Sequence, residues 1–472
     1  MFFLRRRLAT AAIYARNSML GELQSVGLLH QVSALDARCA SALLHEGARV
    51  SGDAAPAVYV GMDPTAPSLH VGNLLQLCTL LRFRRRGFRT VALLGGATGL
   101  IGDPSGRTSE RALVDDTSIV ERNARAIAAS VQRIVGNDAD GGGGALRDTV
   151  LVNNADWLGP QSMSALQLLR DVGKHFSVTA MLARDSVRSR LDAGHGLSYT
   201  EFSYQLLQSY DFYVLHRDFD VGLQIGGSDQ WGNITAGIDY VRRRQARAAD
   251  AAAAGDDHNV VSGLTVPLLL AADGTKLGKS AGNATVWLDP ALTTPFEFFQ
   301  YFVQLSDADA AALLPKLTLM SAEQVGAVLA EHDADRSQRR AQLALARSVC
   351  SLVHGAATAA GVEQATQILF GDERLSDVDV PALAAVLSSL PHATITRPEF
   401  FAKPIVTLLA DSEACASKTA ARKLVLGGGC YVSGRRVTDV NYVPRETDLV
   451  GEFCILRTGK KSFRVVRVVK HE

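Results

Sequence analysis

YVGMDPTAPSLHVGN, residues 59–73, changes character twice in fifteen positions. With the two residues before it, it opens on the apolar run AVYVG, which reads as a buried strand. A Pro-bearing turn follows, and then His70-Val71-Gly72-Asn73 leads into the apolar-periodic segment LLQLCTLLRF. The order is therefore strand, turn, helix start. A helix N-terminus carries unpaired N–H groups and the positive end of a dipole, which suits phosphate. Gly72 has no side chain, so a flat ring can approach the backbone there. His70 and Asn73 are three apart and share one face of the first turn.

Working outward, RTVALLGG at residues 89–96 is a second buried strand, ending in the Gly-rich loop ATGLIGDPSGRTSER at 97–111. Two apolar strands joined by a helix predict a right-handed βαβ unit in a parallel sheet, with ligands at the carboxyl ends of the strands. TVLVNNADW, VGLQIGGSDQWGN and LTVPLLL read as further strands. Residues 21–50, 112–136 and 199–216 read as helices, and QSMSALQLLRDVGKHFSV and AMLARDSVRSRL as two amphipathic helices outside the βαβ pattern. Strand alternation stops near residue 290, and 295–400 are helix-rich. From about 404 a basic helix, a Gly run, a strand and a Ser-Gly turn predict a small α+β domain. Residues 401–472 hold 13 Lys and Arg against 7 Asp and Glu, a local charge suited to RNA.

The whole chain of 472 residues has a net charge of only +1, so nucleic-acid contact must come from such local patches. No apolar run has the length of a membrane span. Six Cys residues, at 39, 78, 350, 415, 430 and 454, form no CxxC pair, which argues against zinc and against a disulfide framework. The first 21 residues carry four Arg and no Asp or Glu, which is transit-peptide composition; a basic tail without an address has the same composition.

Two constellations carry chemistry. Lys276 and Lys279, among Gly274, Gly278 and Gly282, form a loop able to close two ammonium groups on a polyphosphate. Alone, such a loop is equally a solvated turn. Tyr204, Gln208 and Asp211 fall on one helix face, and Asp103 sits in a Gly-rich loop at a strand end. Asp103 could take a substrate ammonium and Asp211 a substrate hydroxyl, although the same stripe could be a solvated helix face. No Ser-His-Asp triad or HExxH motif is present.

At these residues the chain resembles the bacterial-type tyrosyl-tRNA synthetases, class I enzymes. The family's first signature, His-x-Gly-His, reads His70-Val71-Gly72-Asn73 here, and the second, Lys-Met-Ser-Lys-Ser, reads Lys276-Leu277-Gly278-Lys279-Ser280. GDPSGRTSER, DVGKHFSV, TEFSYQLLQSYDF and LQIGGSDQWGN are each similar to the family, and the dense similarity spans residues 26–289. The resemblance implies a Rossmann-like catalytic domain with inserted dimerisation helices at 21–290. An α-helical anticodon-binding-type domain at 291–403 and an S4-like RNA-binding domain at 404–472 would follow. It implies a mitochondrial form, with residues 1–20 as transit peptide, the mitochondrial matrix as location and a homodimer as assembly. Its substrates would be L-tyrosine, tRNA(Tyr) and ATP accompanied by Mg2+, with no tightly bound protein metal site and no membrane contact.

Carried over residue by residue, Thr65 and His70 would stabilise the pentacoordinate phosphate. Lys276, Lys279, Ser280, Arg107 and Arg111 would hold pyrophosphate. Gly72, Asn73, Gly227 and Asp229 would hold adenosine, with Asp63 near ATP and the substrate amino group. Tyr59 and Asp211 would bind the tyrosine phenol, and Asp103, Tyr204, Gln208 and Gln224 its ammonium. Asn73 and Gly278 depart from the signatures; Asn73 keeps a donor and Gly278 removes a hydroxyl. A small nucleotidyltransferase would leave the basic tail unexplained. A non-enzymatic RNA-binding relative would not need His70, Lys276, Lys279 and Asp211 intact. A tryptophan-specific relative is the nearest rival, and Asp211 within YDF argues against it.

Overall fold

The computed structural model of the chain describes residues 14–45, 55–105, 116–138, 149–192, 194, 196–249, 261–270, 277–278, 284–370, 380–388, 390, 392–459 and 462–470. They form two compact units, one of Met1–Leu288 with Ser306–Gln342, the other of Asp289–Leu305 with Leu343–Glu472.

The first unit is built on a six-stranded sheet of β1 (Gln31–Val32), β2 (Ala57–Met62), β3 (Thr90–Leu94), β4 (Thr149–Asn153), β5 (Val221–Gly227) and β6 (Ser262–Val266). Their order is β1-β6-β5-β2-β3-β4, with five parallel strands and β1 antiparallel at the edge. β3, β5 and β6 are buried along their whole length, which is why they read as continuous apolar runs rather than alternating ones. Helices α1 (Val71–Arg85), α2 (Thr117–Asn137), α3 (Tyr199–Phe219) and α4 (Trp231–Ala249) supply the cover.

Tyr59, Val91 and Leu93 of the sheet, Phe212 and Leu215 of α3, and Ile234, Ile238 and Val241 of α4 make one buried cluster. Burial of each such side chain contributes about 1.5–3 kcal/mol. The chain runs from β2 to β3 and β4 on one side, then returns to place β5 and β6 on the other. The order therefore switches between β2 and β5, and a crevice opens at their carboxyl ends.

Two local expectations change. Residues 21–50 are not continuously helical, because the two-residue β1 pairs with β6 between helices Met19–Ser25 and Ala37–Leu44. The two amphipathic helices expected after residue 160 are a broken series: Ala165–Gln167, a π turn at Leu168–Val172, a 3-10 turn at Gly173–His175, Val178–Leu182 and Asp185–Asp192. Gly173 is a poor helix former. Next to it His175 and Phe176 turn inward onto the Tyr240 ring, at centroid distances of 5.6 and 5.5 Å. Anchoring those rings outweighs a regular helix. The expected loop NDADGGGGALRD lies almost wholly outside the described residues.

In the second unit, α5 (Pro295–Val303) starts at Thr294, which shares a capping box with Glu297, and buries Phe298, Phe299 and Phe302. It packs on α6 (Ala356–Phe370), where Gln300 Nε2 donates to Thr366 Oγ1 at 2.8 Å. A five-stranded sheet follows, of β7 (His392–Thr396), β8 (Cys430–Val432), β9 (Arg435–Val437), β10 (Phe453–Thr458) and β11 (Ser462–Val469), ordered β7-β11-β10-β8-β9. Helices α7 (Ile405–Asp411) and α8 (Lys418–Leu426) share its core through Ile405, Leu408 and Val425 against Val432, Leu456 and Val466. This is the small S4-like α+β fold. The helices expected between 291 and 403 fall in both units, since Ser306–Gln342 belongs to the first. No described helix is long and apolar enough to cross a membrane.

The Ser-Gly turn joins β8 to β9 with φ of 42° at Ser433 and 85° at Gly434, both in the left-handed region that a two-residue hairpin loop demands. Ser433 offsets its strain with a buried hydroxyl that donates to the Asp448 carbonyl at 2.7 Å and accepts from Ile455 N–H at 3.2 Å. Ser433→Ala should lower the stability of this unit by about 1–3 kcal/mol, read as an earlier urea midpoint at unchanged slope. A midpoint equal to that of the parent would rule the bracing role out.

Candidate active site

The crevice between β2 and β5 is a cleft of about 350 Å³. Eleven of the residues singled out in the sequence line it: Tyr59, Asp63, Thr65, His70, Asn73, Asp103, Tyr204, Gln208, Asp211, Gln224 and Asp229. Register explains the convergence, since Tyr59 on β2 is the direct partner of Gln224 on β5. α3 then lays Tyr204, Gln208 and Asp211 across the same crevice, so the polar stripe faces the cleft rather than solvent. Arg107, Arg111, Lys276, Lys279 and Ser280 lie outside the described residues.

One end of the cleft is closed and polar. Asp211 is 2% exposed and accepts from Asn154 Nδ2 at 3.0 Å and Trp157 Nε1 at 2.7 Å. Burial pushes its carboxyl up to about 7, against those two donors, which pull it down; Asp63 adds to the rise. Tyr59 stands beside it, 1% exposed, and its hydroxyl has no hydrogen-bond partner among the described residues. Burial, then the charge of Asp211, raises the Tyr59 phenol well above its ordinary value, so it stays protonated and can donate. A buried hydroxyl left without a partner is costly, and a polar ligand would remove that cost.

The middle of the cleft is acidic. Asp103 accepts from Gln230 Nε2 at 2.6 Å, Ser105 N–H at 2.9 Å and Asn233 Nδ2 at 3.3 Å. Asn233 also donates to Gln208 Oε1 at 3.0 Å. Tyr204 donates its hydroxyl to Asp63 Oδ2 at 2.8 Å, and Thr98 donates to Asp63 Oδ1 at 2.7 Å. Burial, then Asp63, holds the Tyr204 phenol well above its usual range. The Tyr204 proton is thus committed to Asp63, and its lone pair remains for a donor such as an ammonium group.

The other end is the start of α1. His70 is its N-cap, with Nδ1 accepting from Gly72 N–H at 3.0 Å, while Asn73 Oδ1 accepts from His70 N–H at 3.1 Å. Val71 N–H donates to Val286 and Asn73 N–H to His70, so three donors of the first turn are spent inside the protein. The helix dipole at this end still favours an anion. With Nδ1 accepting, a neutral imidazole carries its proton on Nε2. Gly72 makes room for that ring, since a Cβ there would lie 2.7 Å from His70 Cε1. Asn73, in place of the second signature His, completes the capping box.

The second signature is laced to the first through the backbone. Val286 N–H donates to the Gly278 carbonyl at 2.8 Å, Val71 N–H to Val286 at 3.2 Å, and Leu288 N–H to Leu69 at 2.8 Å. Gly278 has φ of 111°, which a side-chain-bearing residue rarely adopts, and this is where the family's Ser is absent.

The sequence reading passed over Thr98, Asn154, Trp157, Gln230 and Asn233. All five stand inside stretches quoted above, but their partners are distant in the chain, and no spacing rule shows which amide meets which carboxylate.

Residues 52–371 match the family model described as class I tRNA synthetases for Trp and Tyr, and 383–466 match that of the tyrosine–tRNA ligase SYY-like C-terminal domain. The chain belongs to the class I tRNA synthetases of the tryptophan and tyrosine group. Tyrosine–tRNA ligase of Mycobacterium tuberculosis is 44% identical over 451 residues, 94% of this chain and 97% of that protein. The ligase of Streptomyces coelicolor is 42% identical over 416 residues, 87% and 91% of the two chains. A C-terminally truncated mitochondrial tyrosyl-tRNA synthetase of Aspergillus nidulans superposes with a TM-score of 0.64 at 30% identity, covering 75% of this chain and 95% of that one. Within the group, membership lies with the tyrosyl-tRNA synthetases of bacterial and mitochondrial type.

A ligand hydroxyl donating to Asp211 would favour its charged form, so if the tyrosine phenol is that ligand, its binding below pH 7 should release a proton. Because the free-protein carboxyl is raised, its protonation stabilises the free protein as pH falls from 7 towards the ordinary carboxylate value. Apparent tyrosine affinity should therefore weaken about tenfold between pH 8 and 6, and phenylalanine binding should not. Titration calorimetry in two buffers of different ionisation heat measures the proton; no release at pH 6.5 would contradict the assignment.

Proposed function

We propose that this protein is the tyrosine–tRNA ligase of mitochondrial translation. It takes L-tyrosine and ATP, the latter as its Mg2+ complex with the ion carried on the phosphates, to tyrosyl-adenylate and then to tyrosyl-tRNA(Tyr). The observation that carries the substrate is the closed end of the cleft. Asp211 can take a further donor and the Tyr59 hydroxyl wants an acceptor, and a phenol hydroxyl answers both at once. Phenylalanine does neither. An indole N–H only donates, so tryptophan leaves the Tyr59 hydroxyl unmatched. Rejection of phenylalanine through a hydrogen-bonded hydroxyl is the known behaviour of this enzyme family.

The substrate carboxylate is already a nucleophile. It attacks the α-phosphorus, the bond from that phosphorus to the bridging oxygen breaks, and pyrophosphate leaves; a tRNA ribose hydroxyl then attacks the carbonyl and AMP leaves. Catalysis is positioning with charge stabilisation. The tyrosine ammonium sits among Asp103, Tyr204, Gln208 and Gln224, with Asp63 behind Tyr204. Thr65 and the Nε2 proton of His70 meet the reacting phosphate. Lys276, Lys279, Ser280, Arg107 and Arg111 hold pyrophosphate, and Gly72, Asn73, Gly227 and Asp229 hold adenosine.

Two surface features support the partners. Lys418, Arg422 and Lys423 are exposed on α8, a basic face for tRNA in the segment 404–472, with 291–403 as the anticodon-binding-type region. The dimer is assigned to the helices between Leu166 and Arg190, where Leu166 and Val178 are apolar and exposed by 79 and 61%; a single-copy mass in sedimentation would refute that dimer. The mitochondrial address rests on the Arg-rich first 20 residues and on the likeness to the Aspergillus mitochondrial enzyme, while the M. tuberculosis and S. coelicolor relatives are bacterial. A reporter fused to residues 1–20 that stays outside isolated mitochondria would overturn it.

ATP–pyrophosphate exchange should require tyrosine and fail with phenylalanine and tryptophan at equal concentration; exchange supported equally by tryptophan would sink the substrate assignment. Lys279→Ala should lower the exchange rate far more than tyrosine affinity. Lys418→Glu, Arg422→Glu and Lys423→Glu together should leave exchange intact and reduce tRNA charging about tenfold or more at physiological salt. Undiminished charging would place the tRNA surface elsewhere.

A further inference from the structure

Asp63 and Asp211 lie at different parts of the cleft, yet one hydroxyl stands between them. Thr98 Oγ1 donates to Asp63 Oδ1 at 2.7 Å and accepts from Asn154 Nδ2 at 2.9 Å. The same Asn154 nitrogen donates to Asp211 Oδ2 at 3.0 Å. The direction of every bond is set. Asn154 Oδ1 accepts from Ala97 N–H at 2.8 Å, which fixes the amide so that its two N–H groups face Thr98 and Asp211. With one lone pair of Thr98 taken by Asn154, its single proton goes to Asp63. Asp63 in turn holds the Tyr204 proton at 2.8 Å. Thr98 is buried, at 2% exposure, and Asn154 is wholly so.

We infer that Thr98 is a positioning residue that couples the two ends of the amino-acid pocket, so that the phenol and ammonium contacts are not independent and each tempers the other. The inference rests on the assignment of this cleft to tyrosine. A phenol donating to Asp211 lessens that carboxylate's pull on Asn154, so Asn154 donates more strongly to Thr98 and Thr98 to Asp63; Asp63 then pulls less on the Tyr204 proton, and the Tyr204 lone pair becomes a weaker acceptor for the ammonium. Bonds in such a buried chain polarise one another, and because Asp211, the Asn154 nitrogen and Asp63 are each shared by two bonds, the sum falls short of its parts. Among the described residues neither Thr98 nor Asn154 hydrogen-bonds His70 or Asn73, so the coupling is read on tyrosine rather than on ATP.

The test is a double-mutant cycle on tyrosine affinity and exchange kinetics in the full-length protein. Tyr204→Phe removes the hydroxyl at the ammonium end and Trp157→Phe a donor to Asp211. In the parent background their effects should depart from additivity by about tenfold; in Thr98→Val they should add to within about twofold. Thr98→Val alone should raise the tyrosine KM about tenfold with the ATP KM unchanged. Thr98→Ser, which restores the hydroxyl, should return both the KM and the coupling. Asn154→Ser cuts the chain from the other side and should also abolish the coupling, so the idea does not depend on one variant folding. Additivity in the parent, equal coupling in Thr98→Val, a matching rise in the ATP KM, or no rescue in Thr98→Ser would each overturn the inference. A parent protein without tyrosine-dependent exchange would instead defeat the substrate assignment itself.

Discussion

The parallel pairing of β2 with β5 is the constraint on which the catalytic unit depends. These strands are far apart in sequence and adjacent in space, with Tyr59 registered on Gln224. The side-chain period of a strand is two, so a slip of one residue would turn Tyr59 out of the cleft and expose the apolar set that α3 and α4 cover. Core packing and site assembly are thus the same requirement. Phe212, adjacent in sequence to Asp211, packs on Tyr59 with ring centroids 5.4 Å apart and is fully buried. The residues that hold the sheet against its helices also aim the polar groups.

Charge is managed within that frame by neutral donors. Asp103 and Asp211 form no ion pair among the described residues; amides, an indole N–H and a backbone N–H surround them. Neutral donors orient a carboxylate without cancelling its field. The pocket therefore keeps a negative potential for an ammonium, where a buried Arg partner would have used it up. Elsewhere the fold does neutralise acids. Glu201, under the start of α3, is locked to Arg190 at 2.7 Å with both side chains buried, and Asp138 meets Arg84 and Arg85.

Strand, turn and helix at residues 59–85, the second strand and the basic α+β tail were legible because they rest on local signals: apolar runs, a Pro turn, a helix start and a Ser-Gly pair. The polar face of α3 was legible as a face, since helix periodicity is local, but its direction was not; that depends on the return of β5. Thr98 and Asn154 were illegible for the same reason. A threonine in a Gly-rich loop and an asparagine at a strand end are ordinary turn residues until the parallel pairing of β3 and β4 sets them side by side. The regular helices expected after residue 160 failed because burying His175 and Phe176 against Tyr240 outweighed helix continuity. The start of α1 reads from sequence as suited to phosphate, and in the structure its first-turn backbone donors are committed to His70 and Val286.

The interleaving of the two units has a consequence for synthesis on the ribosome. α5 belongs to the second unit, yet the next segment, Ser306–Gln342, belongs to the first. The helix carrying Phe298, Phe299 and Phe302 therefore leaves the exit tunnel well before α6, the element that buries it. In that interval three phenylalanines that end up without solvent contact have no native cover. A nascent chain in this state is a ready substrate for a holding chaperone, and a stall between residues 305 and 356 would leave it aggregation-prone. A single cut between 305 and 343 would likewise leave the first unit short of its last helices or saddled with a helix foreign to it.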